Sequence, residues 1–129
     1  MKELLEAIVD ELSAGNGVML ATIVARRGSA PRGVGTAMVV SESGTQKGTV
    51  GGGAVEYQAR LDALELLADG KCALREYDIH TDGKSAGSGG VTILFRPLSG
   101  DRGRALAEGM LAAIDAADAT YLVCDLSED

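Results

Sequence analysis

Apolar residues recur at helical spacing at the start of the chain: Leu4, Leu5, Ile8, Val9 and Leu12, with Glu3, Glu6, Asp10 and Glu11 filling much of the other face. That period predicts an amphipathic helix. Gly15-Asn16-Gly17 stops it, because glycine accepts the left-handed backbone of a helix end. Val18 to Ala25 (VMLATIVA) is a nearly unbroken apolar run, whose length and β-branching predict a strand buried on both faces. The next ten residues, RRGSAPRGVG, read as a loop. Ala37–Val40 and Gln46–Val50 read as strands joined by a turn at Glu42-Ser43-Gly44. Ala54, Tyr57, Leu61, Leu64 and Ala68 predict a second helix with one apolar stripe, closed by Gly70. Ala73–Ile79 and Val91–Phe95 read as strands, the latter stopped before Pro97. A helix over Arg102–Ala117 and a strand over Thr120–Leu126 complete the chain. The order α-β-β-β-α-β-β-α-β predicts an α/β fold of the mixed α+β kind. It is a mixed β-sheet with about three helices packed on it, in one domain over residues 1–129.

Composition narrows the function classes. A chain of 129 residues is long enough to bury a core without disulfide staples. Aromatic residues make up only 3%, so the core is aliphatic and base stacking is not the chain's business. A formal charge of −7 repels a phosphate polymer at long range, so no nucleic acid is expected as partner. Cys72 and Cys124 lie far apart, which is neither a zinc spacing nor a disulfide framework. The amino terminus lacks an apolar signal-peptide core, and no stretch reaches membrane-spanning length. The expected location is the cytoplasm, with no membrane partner.

The chemistry concentrates in VGGGAVEYQAR, Val50 to Arg60. Three adjacent glycines, Gly51, Gly52 and Gly53, sit between a β-branched pair and a helix. Each costs roughly 0.5–1 kcal/mol of backbone entropy relative to alanine where a regular element might form. Two readings stand side by side. The glycines allow tight packing of helix on strand, or they let a ligand approach the first helical N–H groups, which have no internal partners and carry the positive end of the helix dipole. The pattern is neither the dinucleotide fingerprint nor a P-loop. The segment Arg26–Arg60 holds five basic residues against two acidic ones, within a protein of net −7. Arg27, Gly28, Ser29 and Arg32 in the preceding loop therefore join the glycines as candidate anion ligands, since a guanidinium fork suits phosphate oxygens. On the anion-site reading, the amides of Gly51–Ala54 are open to solvent and converge with the Arg26–Gly35 loop on one pocket. Glu56, in the first turn of the helix, either complements the dipole or accepts from a ligand N–H.

The motifs GSAPRGVGTAMVV (Gly28–Val40), GTVGGGAVE (Gly48–Glu56) and VTILFRPL (Val91–Leu98) resemble the N-terminal domain of the XdhC/CoxI family. The resemblance runs from about Val18 to Leu98. Members of that family are maturation factors for molybdenum hydroxylases such as xanthine dehydrogenase and the molybdenum CO dehydrogenase. The resemblance implies that the chain binds the molybdenum cofactor, a molybdopterin, as cargo, and delivers it to a hydroxylase apoenzyme. On that reading Gly51–Gly53 and the arginine loop take the cofactor's phosphate and Glu56 accepts from the pterin. Two departures stand out. The family's C-G-G segment corresponds here to Gly87-Ser88-Gly89-Gly90, with no cysteine. Typical members continue into a Rossmann-like C-terminal domain, for which this sequence shows no dinucleotide fingerprint; on the resemblance the chain is a stand-alone member, or that half lies on a separate Rossmann-domain subunit as a further partner, or it was cut away.

Two other function classes remain open at this level. One is an enzyme acting on a phosphorylated small molecule, with His80 near Asp78, Asp82 and Lys84 as acid–base equipment. The other is a protein-interaction subunit that has lost cofactor binding. The first reading makes the chain an accessory protein without catalytic residues or a resident metal, and its aliphatic α/β make-up is compatible with a homo-oligomer.

Overall fold

The computed structural model describes residues 2–28, 33–78 and 89–115. Its elements are α1 (Lys2–Ser13), β1 (Val18–Gly28), β2 (Ala37–Ser41), β3 (Gln46–Gly48), α2 (Gly53–Asp69), β4 (Ala73–Asp78), β5 (Gly89–Leu98) and α3 (Gly100–Asp115). The expected α/β unit is present, with three helices against one sheet. The strand order is β3-β2-β1-β5-β4, and all four neighbouring pairs are antiparallel. The strand expected over Thr120–Leu126 lies outside the described residues.

The unbroken apolar run of β1 is explained by its place at the centre of the sheet, covered on both faces. Met19, Ala21 and Ile23 join Met38, Val40, Val91, Ile93 and Phe95 under α2. Val18 and Leu20 face the other way, with Ala37, Val39 and Leu98, under α1 and α3. α1 buries Leu5, Ala7, Ile8 and Leu12, close to the face its period predicts. The α1 end is tied to the β2–β3 hairpin by Glu11, whose carboxylate accepts from the hydroxyls of Ser41 (2.5 Å) and Ser43 (2.6 Å) and from the Asn16 amide (3.3 Å). Those bonds, the Ser41 hydroxyl foremost, hold the Glu11 carboxyl below its ordinary pKa against the opposing effect of burial.

Three expectations are corrected. Arg26, Arg27 and Gly28 are not loop: they continue β1 in register with Val91, Gly90 and Gly89 of β5, after a bulge between Ile23 and Ala25. β5 supplies the ladder that composition alone could not announce. β5 also runs through Pro97, which pairs with Met19, while the β4 ladder ends at Ala73↔Phe95. The outer side of β5 at Pro97 thus has no strand neighbour, and a missing donor is tolerated there. The third correction concerns α2. Its buried residues are Ala59, Asp62, Ala63 and Leu66, while Tyr57 and Leu61, central to the expected stripe, are 65% and 42% exposed. The helix has apolar residues on both sides, and the small alanines, not the larger side chains, sit against the sheet.

α2 carries the chain from the β3 edge of the sheet to the β4 edge, and its landing is fixed by a polar latch. Asp62, 8% exposed, accepts from the Tyr77 hydroxyl (2.5 Å) and the Gln58 amide (3.1 Å), and pairs with the Arg75 guanidinium (3.3 Å). Tyr77 rests edge-on against Phe95, with centroids 6.5 Å apart. Burial, and then the bond to Asp62, raise the Tyr77 phenol far above its ordinary pKa, so it stays a donor. Gly70 closes α2 in the left-handed conformation, φ 66° and ψ 34°, as the sequence predicts. Tyr77→Phe removes the donor from a carboxylate that stays buried. It is expected to lower stability by about 1–2 kcal/mol, seen as a lower urea midpoint at unchanged slope.

Candidate functional site

The three glycines are explained by backbone path. Gly51, Gly52 and Gly53 have φ of 126°, 74° and 62°, three successive residues in the region that side chains avoid. Gly52 adds ψ −175°, a combination close to glycine-only. Packing is not the reason at Gly52 or Gly53, where an added Cβ would meet nothing within 4 Å. Gly48, by contrast, is a packing glycine, where a Cβ would lie 2.5 Å from the Ala37 carbonyl oxygen. The turn therefore leaves open ground beside the main chain at Gly52 and Gly53, where another group can come close.

The amides of that turn are not all open, which corrects the expectation for Gly51–Ala54. Glu56 Oε1 accepts from the Val50 N–H (3.1 Å), the Gly52 N–H (3.2 Å) and the Thr49 hydroxyl. Thr49 Oγ1 in turn accepts from the Gly51 N–H (3.0 Å). Glu56 Oε2 accepts from the Gln46 amide on β3 (3.2 Å). This reach from the first helical turn back to the preceding N–H groups is the logic of a capping box, extended by one further amide. Burial acts to raise the Glu56 carboxyl, but the Thr49, Val50, Gly52 and Gln46 bonds more than offset it and hold the group below the ordinary carboxylate range. The exposed Gly53 and Ala54 keep N–H groups with no hydrogen-bond partner among the described residues.

The remaining candidates are placed as follows. Gly28 ends β1 with φ 61° opposite Gly89. Arg27 reaches across Gly90 to the Asp78 carboxylate on β4, its side chain 51% exposed. Register puts Arg27, Gly90 and Asp78 on the face opposite α2, because their neighbours Val91 and Tyr77 pack toward α2. The glycine turn and Arg27 are thus at the same end of the sheet but on different faces. Ser29 and Arg32 lie outside the described residues, as do His80, Asp82, Lys84, Gly87 and Ser88. The described residues hold no group of three or more side chains suited to a metal ion, and no helix among them is long and apolar enough to cross a membrane. Cys72 is a free, half-buried thiol just before β4. Sequence reasoning missed Thr49 and Gln46. A hydroxyl just before a glycine turn and a carboxylate in the next helical turn was the available signal.

Comparison with known proteins places this corner in a wider context. The sequence profile of the XdhC and CoxI family matches residues 11–78, just over half the chain and inclusive of the glycine turn. Over 70 residues the chain is 41% identical to the molybdenum cofactor insertion chaperone PaoD of Escherichia coli (strain K12), covering 54% of this chain and 22% of that protein. Its fold is similar to the crystal structure of a xanthine dehydrogenase (BH1974) from Bacillus halodurans, with a TM-score of 0.74 and 25% identity over 89% of this chain and 35% of that one. The chain therefore spans only about a fifth and a third of the lengths of these two relatives.

The sign of the Glu56 effect on stability follows from its lowered pKa. The carboxylate stabilises the fold fully above the ordinary carboxylate pKa, and that contribution is lost as pH falls through the lowered folded value. Glu56→Gln is expected to lower stability at neutral pH by about 1–3 kcal/mol. The gap between parent and variant should shrink in acid, and comparison with the variant cancels the parallel contribution of Glu11. Denaturation curves at neutral and acid pH check this; a gap of constant size would show that the negative charge is not what holds the turn.

Proposed function

Because the chain belongs to the XdhC and CoxI family, we propose that it is a maturation factor that binds the molybdenum cofactor and passes it to a molybdenum hydroxylase of the xanthine dehydrogenase or CO dehydrogenase type. The observation that carries this reading is the 41% identity over 70 residues to a cofactor insertion chaperone. The likeness to the structure of a xanthine dehydrogenase from Bacillus halodurans supports the hydroxylase side of the proposal. Cytoplasmic residence and a separate Rossmann-domain subunit belong to the same proposal.

The glycine turn supplies a physical basis for cargo binding. A flat heterocycle needs close approach to main chain on at least one side, and the ground over Gly52 and Gly53 is clear. The turn is also preorganised: Thr49 and Glu56 fix its backbone before any ligand arrives, which removes an ordering cost from binding. In this reading Gly51, Gly52 and Gly53 present the surface and Glu56 braces it. Arg27, Gly28, Ser29 and Arg32 are the proposed contacts for the cofactor's more distant, anionic end. The Arg27–Asp78 pair is exposed and worth about 0–1 kcal/mol, so it does not forbid exchange of partners.

Titration of the purified protein with molybdenum cofactor, followed by transfer to apo-hydroxylase, tests the proposal. Arg32→Ala and Gly52→Val are each expected to weaken cofactor binding about tenfold, equivalent to about 1.4 kcal/mol. Gly52→Val should also lower thermal stability, because valine cannot follow the Gly52 backbone without strain. Unchanged affinity in both variants would remove these residues from the site. Capture of a hydroxylase by a chain that takes up no cofactor would favour the interaction-subunit class instead.

A further inference from the structure

We infer that two copies of this chain associate through the outer face of α2, as a parallel helix pair along Ala54, Tyr57, Leu61, Leu64 and Ala68. This interface is independent of the cofactor-binding reading.

Those positions alternate steps of three and four residues. A spacing that averages about 3.5 residues is the a/d seam of a coiled coil, narrower than the stripe with which a helix sits on a sheet. The sheet uses a different face. α2 buries Ala59, Asp62, Ala63 and Leu66, and at about 3.6 residues per turn these lie on the side opposite Leu61. The ties from Asp62 to Tyr77 and Arg75 hold that rotation, so the helix cannot roll to hide its outer residues. Tyr57 and Leu61 are exposed large apolar side chains, Ala54 and Ala68 are exposed too, and Leu64 is half-buried. Single exposed apolar residues are ordinary on a protein surface. A line of them in heptad register, about 20 Å long, is a continuous contact surface.

Charge selects the occupant and its direction. With Leu61 at an a position, Arg60 falls at g and Glu65 at the following e, on opposite flanks of the seam. Neither has an ion-pair partner among the described residues of its own chain. In a parallel pair each g side chain faces the next e side chain of the other helix. Arg60 of one copy therefore meets Glu65 of the second, and the two-fold axis repeats the contact. An antiparallel pair centred on Leu61 would instead set Arg60 beside Arg60 of the second copy, a like-charge contact. The ion pairs are at the rim and set direction more than strength. The seam itself is short. Its contact falls at or below about 1,200 Å², the small end of specific interfaces, so the association is weak and concentration-dependent. With the helices face to face, the two sheets lie on the outer sides of the pair.

Sedimentation of the chain, loaded from about 1 μM to about 1 mM in about 0.15 M salt to screen its net charge, reads the association. The expected result is a monomer at the low end and a dimer at the high end. Leu61→Glu puts a charge in the seam and should weaken the dimer about tenfold or more. Because Leu61 is exposed, the same variant should keep the parent's thermal midpoint at low concentration. Arg60→Glu and Glu65→Arg should each weaken the dimer severalfold, and the two combined should restore it, since the exchanged charges again meet across the pair. A chain that stays monomeric at every loading overturns this interface and leaves the seam to a different protein. A dimer that Leu61→Glu leaves intact overturns it as well. A dimer that Leu61→Glu weakens but the combined exchange does not restore overturns the parallel arrangement. None of these results bears on whether the chain takes up cofactor.

Discussion

One carboxylate oxygen organises the corner where the chain leaves the sheet and enters α2. Glu56 Oε1 gathers two main-chain N–H groups and a threonine hydroxyl from the segment just before its own helix. Three successive positive-φ residues have many alternative paths in the unfolded chain, and nothing in glycine itself chooses among them. The carboxylate favours one of them: the observed path brings the Val50 and Gly52 amides to one point. Gln46 extends the tie to β3, so the exit of a strand, the turn and the start of a helix are joined through one side chain.

The consequences run along α2. Once its first turn is anchored beside β3, the helix crosses the sheet and sets Asp62 against Tyr77 and Arg75 of β4. Ala59 lies between the two polar ties and Ala63 just after the second, both fully buried, and their small side chains let the helix lie close to the sheet. The bulkier Tyr57 and Leu61 are left outward, since two satisfied polar clamps and an alanine seam fix the rotation of the helix more firmly than hydrophobic count does. A buried carboxylate is acceptable on the inner face because three partners meet it there.

Much of this was legible in the sequence, and the failures have physical causes. The α1 period and the β1 run were readable because one element has a single apolar face and the other has two buried faces. The α2 stripe was misread because apolar residues occupy both sides of that helix, and period alone cannot say which side meets the sheet. Arg26–Gly28 and Pro97 were misassigned because strand extension depends on a partner strand distant in sequence. The glycine turn was located correctly from the sequence, but its donors were taken to be free. Which N–H groups are spent depends on the rotamers of Thr49 and Glu56, and no residue pattern states a rotamer.

A glycine-rich turn entering a helix is commonly taken as a place for phosphate, and the physics behind that habit is sound only when the amides are unspent. Here the same sequence feature includes its own acceptor four residues beyond Gly52. With the acceptor in place the turn changes sign: it becomes a rigid edge with a spare carboxylate lone pair and a few outward N–H groups. An edge of that kind discriminates by the pattern of donors and acceptors rather than by charge, because a ligand that leaves the carboxylate or an amide unmatched loses a hydrogen bond the solvent had provided.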